Sequence, residues 1–280
     1  MITYKPLPIE DPAVTYNLSW KKHDTQQFAD KYKQWILSSN KAKVSGLEKF
    51  NYYLTDGVTG AYSDFEKAYP DLQSVAFRGE YPFHRDTGVK RIEHILELQQ
   101  GQKLYISYPF AAHGNVHFLF HEMLKVCETE NIPVFIDCAY FGACVFDELN
   151  VDYNCIKFVA FSMSKAFATG RCKIGLCFTN LNNTYMALLN EYSYVNHISI
   201  GIHKHIIDNF TPDYMFEKYR TTQLDICKKY DIDASDTVFL AYSYTPKQSG
   251  FDRDGTVSRY GISDLLVNGY DRDIQWISKK

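Results

Sequence analysis

At 280 residues, 45% apolar and 22% charged, the chain is long enough to bury a large core and has a globular composition unusually rich in aromatics, with 22 Tyr and 19 Phe. A formal net charge of −3 and a pI near 6.3 supply no field for steering toward nucleic acid or an anionic membrane, and there is no long basic run. No run approaches about 18 apolar residues, and MITYKPLPIEDP lacks the charged start and apolar stretch of a signal peptide, so a soluble, cytoplasmic protein is expected. The seven cysteines are scattered, odd in number and without a CxxC pair, and read as small buried thiols of a reducing compartment.

Residues 1–20 read as irregular, because Pro6, Pro8 and Pro12 block a regular helix. Asp24–Leu37 has helical spacing, with Phe28, Tyr32, Trp35, Ile36 and Leu37 as its apolar stripe. Tyr52–Thr55 is a short strand or turn, and DGVTG (56–60) a flexible turn before a helix over Ala61–Tyr69. A Gly turn opening a helix presents free N–H groups and the positive dipole end, which suits a phosphate, although many helices begin this way without an anion. Ser74–Phe77 is a strand followed by GEYPFH (79–84). Val89–Leu98 is expected to be a helix and Lys103–Ser107 a strand, whose exit, YPFAAHGN (108–115), leads into an amphipathic helix through about Glu130. Pro133–Ile136 is a buried strand ended by DCAYFG (137–142), and Phe158–Phe161 another, ended by SMSK (162–165). A further hydrophobic run follows at Ile174–Phe178.

This alternation of strand and helix from 74 to 178 predicts an α/β fold: three layers, with a mostly parallel sheet flanked by helices. After residue 180 come helices near Thr184–Tyr192, Ile198–Asn209 and Phe216–Tyr230 and a strand at Val238–Ser243, read as a smaller α+β lobe. The expected division is an N-terminal segment (1–50), a large portion (51–180), and the end of that portion with a reduced second lobe (181–280).

In parallel sheets the ligand sits at the carboxyl ends of the strands, and Tyr81, His113, Asp137 and Lys165 all fall there. Each also has a plainer reading. Asp137 is a suitable cap for the turn after it, Tyr81 and Tyr140 suit an aromatic core, and Lys165 suits a loop mouth facing water. The alternative for Lys165 is chemical, since a desolvated amine is more easily deprotonated and a neutral amine forms Schiff bases. His113, His117 and His121 recur every four residues, but without the HExxH arrangement they read as a helix face, and no metal is expected. His203 and His205 read as surface residues.

Taken together, IDCAYFG, SMSKAF and KIG in that order resemble the fold type I pyridoxal 5′-phosphate (PLP) enzymes, specifically the aspartate-aminotransferase-like class I/II aminotransferases in a shortened form. The resemblance runs from about Thr55 to Gly175, with a weaker echo at Arg259. It implies that Lys165 carries PLP as a Schiff base and moves protons in the reaction, that Asp137 pairs with the pyridine nitrogen, and that Tyr140 bonds the ring O3′. Tyr81 would stack on the ring, with His84 supporting it on the substrate side. Gly57, Val58, Thr59, Ser162 and Ser164 would cradle the phosphate, and Arg259 would grip a substrate carboxylate. The cation of the phosphate site is Lys173 or Arg171, since the position usually held by arginine is Lys173. Ala111 stands where an asparagine normally bonds O3′. The implied activity is that of an aminotransferase on an amino acid or related amine, working as a homodimer. Another PLP reaction (β- or γ-lyase, cyclase, decarboxylase or racemase) or a non-catalytic PLP-binding homologue are the alternatives.

Overall fold

The apolar runs become neighbouring strands of one sheet because each is buried on both faces, the usual state of a parallel strand covered by helices. The computed structural model describes residues 24–81, 88–244 and 257–269. Its first half runs α1 (Thr25–Leu37), β1 (Ala42–Ser45), β2 (Asn51–Thr55), α2 (Gly57–Ala68), β3 (Gln73–Phe77), β4 (Lys90–Ile92), β5 (Gln102–Ser107), α3 (Phe120–Thr129) and β6 (Val134–Cys138). It continues with β7 (Phe146–Asn150), β8 (Ile156–Ser162), β9 (Gly175–Thr179), α4 (Tyr185–Glu191), α5 (His197–Asn209), α6 (Tyr214–Tyr230), β10 (Asp233–Ala234), β11 (Leu240–Ser243), β12 (Ser258–Gly261) and α7 (Ser263–Asn268).

Among the described residues the main sheet has seven strands in the order β2-β9-β8-β6-β5-β3-β4. From β4 to β8 every pairing is parallel, while β9 runs antiparallel to both β8 and β2. Alternate residues enter different layers. Leu104, Ile106, Val134, Ile136, Val159 and Phe161 join the larger core with α1, whereas Tyr105, Phe135, Phe158 and Ala160 join the smaller one with Val58, Tyr62 and Phe65 of α2. The period of two in side-chain direction thus builds the three layers. Phe65 is the pivot of the α2 layer, with edge-on contacts to Tyr105, Phe135 and Phe158 at centroid separations of 5.2, 5.5 and 5.3 Å. A second sheet, β10-β11-β12, is antiparallel, and the Gln223 amide of α6 braces it by donating to the carbonyls of Ser235, Thr237 and Leu240. A short parallel pair, β1 with β7, has no strong period-two signal in the sequence and was not expected.

Two expected helices take another form. Residues 89–98 are an edge strand, β4, followed by a 3-10 turn at Ile95–Glu97, because pairing with β3 outweighs the helical spacing of the apolar residues. The helix expected directly after Gly114 starts only at Phe120. Asn115 N donates to His113 Nδ1 and Leu119 N to His117 Nδ1, so local side-chain bonds divert the backbone from the helix ladder. His117 and His121 therefore do not share a helix turn. His203 is also misread as a surface residue: it is fully buried on α5. No helix among the described residues is long and apolar enough to cross a membrane.

At the carboxyl edge of the sheet the strands crowd together. Thr55 pairs with Gly175 and Gly175 with Ser162, so β2, β9 and β8 meet at one level. A Cβ on Gly175 would lie 2.7 Å from Phe161 O and 2.8 Å from the carbonyl carbon of Gly57. Gly175→Ala is therefore expected to lower stability by about 2 kcal/mol or more, because the three atoms nearest the added methyl are all backbone. Urea unfolding checks this, and an unchanged midpoint would show that the strands are not packed this closely.

Candidate active site

The parity that sorts the core also aims the polar residues at the strand ends. Ser107, Asp137 and Ser162 share the parity of Tyr105, Phe135, Phe158 and Ala160, and so belong to the α2 side of the sheet. Ser107 and Asp137 are direct register partners across β5 and β6. A cleft at this edge, about 220 Å³ in volume, is lined by Gly57, Val58, Thr59, Ser162, Ser164 and Lys173 together with Tyr62, Tyr81, Asp137 and Lys165.

Lys165 occupies the turn directly after β8. Its Nζ lies over two rings, 4.5 Å from the centroid of Tyr140 and 5.3 Å from that of Tyr81. Asp137 is 6% exposed, and its carboxylate is fixed from two directions: Ala139 N donates to Oδ1 over 2.8 Å and the Tyr62 hydroxyl donates to Oδ2. Burial, reinforced by the Asp137 charge, pushes the Tyr62 phenol well above its usual range, so it stays a donor. Each oxygen of Asp137 keeps a further acceptor site, enough for one more N–H. Tyr140 Oη receives Nη2 of Arg259 at 3.3 Å and faces Ala111 O at 3.5 Å. Arg259 reaches this wall from β12. It is 3% exposed, and its Nε has no hydrogen-bond partner among the described residues.

Of the residues singled out in the sequence, Tyr81, Asp137 and Lys165 meet at this cleft with Tyr140 and Arg259 adjoining it, whereas His113 is not among the lining residues and packs against Phe110 and Tyr242. Both Lys173 and Arg171 are exposed, but Lys173 lies on the cleft wall, its Cβ and Cδ 3.5 Å from where a Gly57 Cβ would be, and Arg171 is not among the wall residues. His84 lies outside the described residues. Gly57 has φ +65°, and α2 begins without a side-chain cap at Asp56, so the first-turn N–H groups open beside Lys173 and Ser162. The start of α2 suits an anion and Asp137 a protonated ring nitrogen, and the amine of Lys165 and the faces of Tyr81 and Tyr140 are at the same site. The donor set fits PLP.

Sequence reasoning missed Tyr62, Glu80, Ser107 and His203. The parity of Ser107 with Asp137, and the position of Tyr62 one helix turn after Thr59, are the signals that could have found two of them. Glu80 is 1% exposed; burial raises its carboxyl, opposed by hydrogen bonds from Ser107. His203 Nδ1 donates to Ser199 O over 2.8 Å, and Nε2 accepts from Thr169 Oγ1 over 3.0 Å, so a buried neutral imidazole ties α5 to the segment that carries Lys165.

No family model matches the chain, and no curated protein matches it. Solved structures do. An aspartate aminotransferase variant from Thermus thermophilus is 13% identical, with a TM-score of 0.59 over 80% of this chain and 72% of that one. A PLP-bound C-S lyase from Staphylococcus hominis complexed with L-cycloserine is 10% identical, with a TM-score of 0.64 over 90% and 81%. The L-threonine-O-3-phosphate decarboxylase of Porphyromonas gingivalis is 12% identical, with a TM-score of 0.60 over 88% and 87%. The chain has the fold type I, aspartate-aminotransferase-like architecture, and its three comparators run three different reactions on it.

Burial holds the His203 pKa down at about 4, below the ordinary 6.5. A His with a depressed folded pKa contributes its full stability above 6.5 and loses it as pH falls toward 4. The loss is on the order of 3 kcal/mol for this shift. His113 and His117, also held near 4 by burial, act in the same direction. Denaturant melts between pH 7 and 4 should show the decline, and His203→Gln, which cannot take the proton, should flatten part of it; an identical acid slope in the variant would remove His203 from this role.

Proposed function

We propose that the protein is a PLP-dependent enzyme, an aminotransferase acting on an amino acid or related amine. The observation that carries the reading is Lys165 Nζ held over the Tyr140 and Tyr81 rings at a cleft lined by both Asp137 and the Lys173-flanked start of α2. Bound PLP supplies a carbonyl that condenses with amines and a ring that withdraws electrons from the substrate Cα. Lys165 holds the cofactor at rest and moves the proton at the substrate Cα when free. Asp137, oriented by Ala139 N and Tyr62, keeps a proton on the ring nitrogen. Tyr81 covers one ring face, and Tyr140 donates to the ring hydroxyl oxygen. The N–H groups of Gly57, Val58 and Thr59, with Ser162, Ser164 and Lys173, bind the phosphate. Arg259 binds the substrate carboxylate through the guanidinium fork.

On this reading residues 51–180 carry the cofactor cradle and residues 181–280 bring the carboxylate clamp. The seven cysteines are unpaired and all but Cys172 are buried, which suits the reducing cytoplasm. Tyr185, Leu188, Tyr192, Tyr194 and Ile198 are exposed around α4 and the start of α5, an apolar surface that suits a homodimer.

Purified protein incubated with PLP should develop a visible absorbance band that borohydride removes, with the added mass on the peptide containing Lys165 and no band in Lys165→Ala. Protein that stays colourless with excess PLP would falsify this reading. Lys173→Gln should weaken PLP binding about tenfold to a hundredfold, the size of a lost charge-assisted contact, while Arg171→Gln leaves it nearly unchanged; the reverse ranking would reassign the phosphate cation. With an amino donor, conversion of the cofactor to its amine form marks transamination, and keto acid release without that form marks elimination.

A further inference from the structure

Tyr81 follows a tight turn. Gly79 has φ +93°, and a Cβ there would lie 2.9 Å from both Ala112 Cβ and Phe110 Cε1, so the segment after β3 is pressed against the exit of β5. The next residue, Glu80, turns its side chain into the protein instead of toward water. Its carboxylate accepts from Ser107 N at 2.6 Å, from Ser107 Oγ at 2.6 Å and from Tyr81 N at 3.1 Å. The carbonyls of the same segment are held from the other side by Arg91 of β4, whose Nη1 donates to Phe77 O at 3.2 Å and Nη2 to Tyr81 O at 3.1 Å and Glu80 O at 3.4 Å.

A buried carboxylate is a costly way to hold a turn, and a backbone amide bond would serve a turn alone. What the carboxylate achieves is a link between two separate walls of the cleft. Tyr81 faces Lys165, and Ser107 lines the same small recess as Asp137, Tyr140 and Lys165. We propose that Glu80 is a positioning residue for the site, locking the Tyr81 ring and the Ser107 hydroxyl into one frame around Lys165 and Asp137. Arg91 completes the lock by fixing the carbonyls. The proposal deepens the PLP reading and rests on it for one of its two readouts.

Glu80→Gln keeps the volume and an acceptor for Ser107 N, but places an NH2 group where the other oxygen took donors. Ser107 Oγ can turn to accept from it; Tyr81 N cannot, and Tyr81 is released. In the cofactor-free protein, acetylation of Lys165 by acetic anhydride, measured by mass spectrometry against the exposed Lys43, should rise about threefold or more in Glu80→Gln, the scale of one lost hydrogen bond. PLP affinity, measured by absorbance, should fall about tenfold or more, the scale of a lost bond to a charged group. If Glu80→Gln does not fold, Arg91→Lys, which keeps the charge and loses the fork, should shift both readouts in the same direction. A folded variant with unchanged Lys165 labelling and unchanged PLP affinity overturns the proposal. If wild-type protein ignores PLP but the labelling shift is present, the positioning role stands and the PLP reading fails; normal PLP binding with no labelling shift has the opposite meaning.

Discussion

The site depends on strand register. Ser107, Asp137 and Ser162 reach one cleft only because β5, β6 and β8 are parallel and in phase, with Ser107 opposite Asp137 and Asp137 opposite Ala160. A slip of one residue in β6 would send Asp137 to the opposite layer and put a hydrophobic side chain in its place. The aromatic packing of Phe65 against Tyr105, Phe135 and Phe158 resists that slip, since each ring fits only on the α2 side. Hydrophobic packing therefore does the aiming, and the polar residues at the strand ends inherit their direction from it.

Polar groups buried at this edge are tied to one another or to the backbone. Asp137 is held by Tyr62 and Ala139, Glu80 by Ser107 and Tyr81, and His203 by Ser199 and Thr169. In a low-dielectric interior an unpaired polar group is expensive, so satisfied networks leave little freedom for the groups that face the cleft. Arg259 is bonded in part, its Nη2 donating to Tyr140 while its Nε has no partner among the described residues. The contact of Arg259 with Tyr140 joins the second sheet to the wall beneath Lys165.

The comparators share the architecture at 10–13% identity and differ in reaction, so the architecture alone does not set the reaction. In this chain Lys173 lies on the cleft wall beside Gly57 and Ser162, Ala111 presents its carbonyl to Tyr140, and the Glu80 carboxylate accepts from Ser107 and Tyr81. A lysine supplies a point charge without the planar fork of an arginine.

The amino-acid sequence by itself determined the central strands and the loops that carry Asp137 and Lys165, because runs buried on both faces are apolar throughout and end abruptly in polar residues. It showed a Gly-containing segment leading into a helix, but placed the helix at Ala61, whereas α2 already begins at Gly57. It did not determine β4, since three residues paired at a sheet edge leave no periodic trace, nor the late start of α3, which follows from imidazole–backbone bonds formed in place. Tertiary structure alone chose Lys173 over Arg171 for the cleft, turned His203 inward, and brought Tyr62 and Glu80 to the site. The physical reason is common to all of these: local sequence sets which way a backbone can run, whereas the partner of a buried polar group is supplied by a distant segment that only packing brings near.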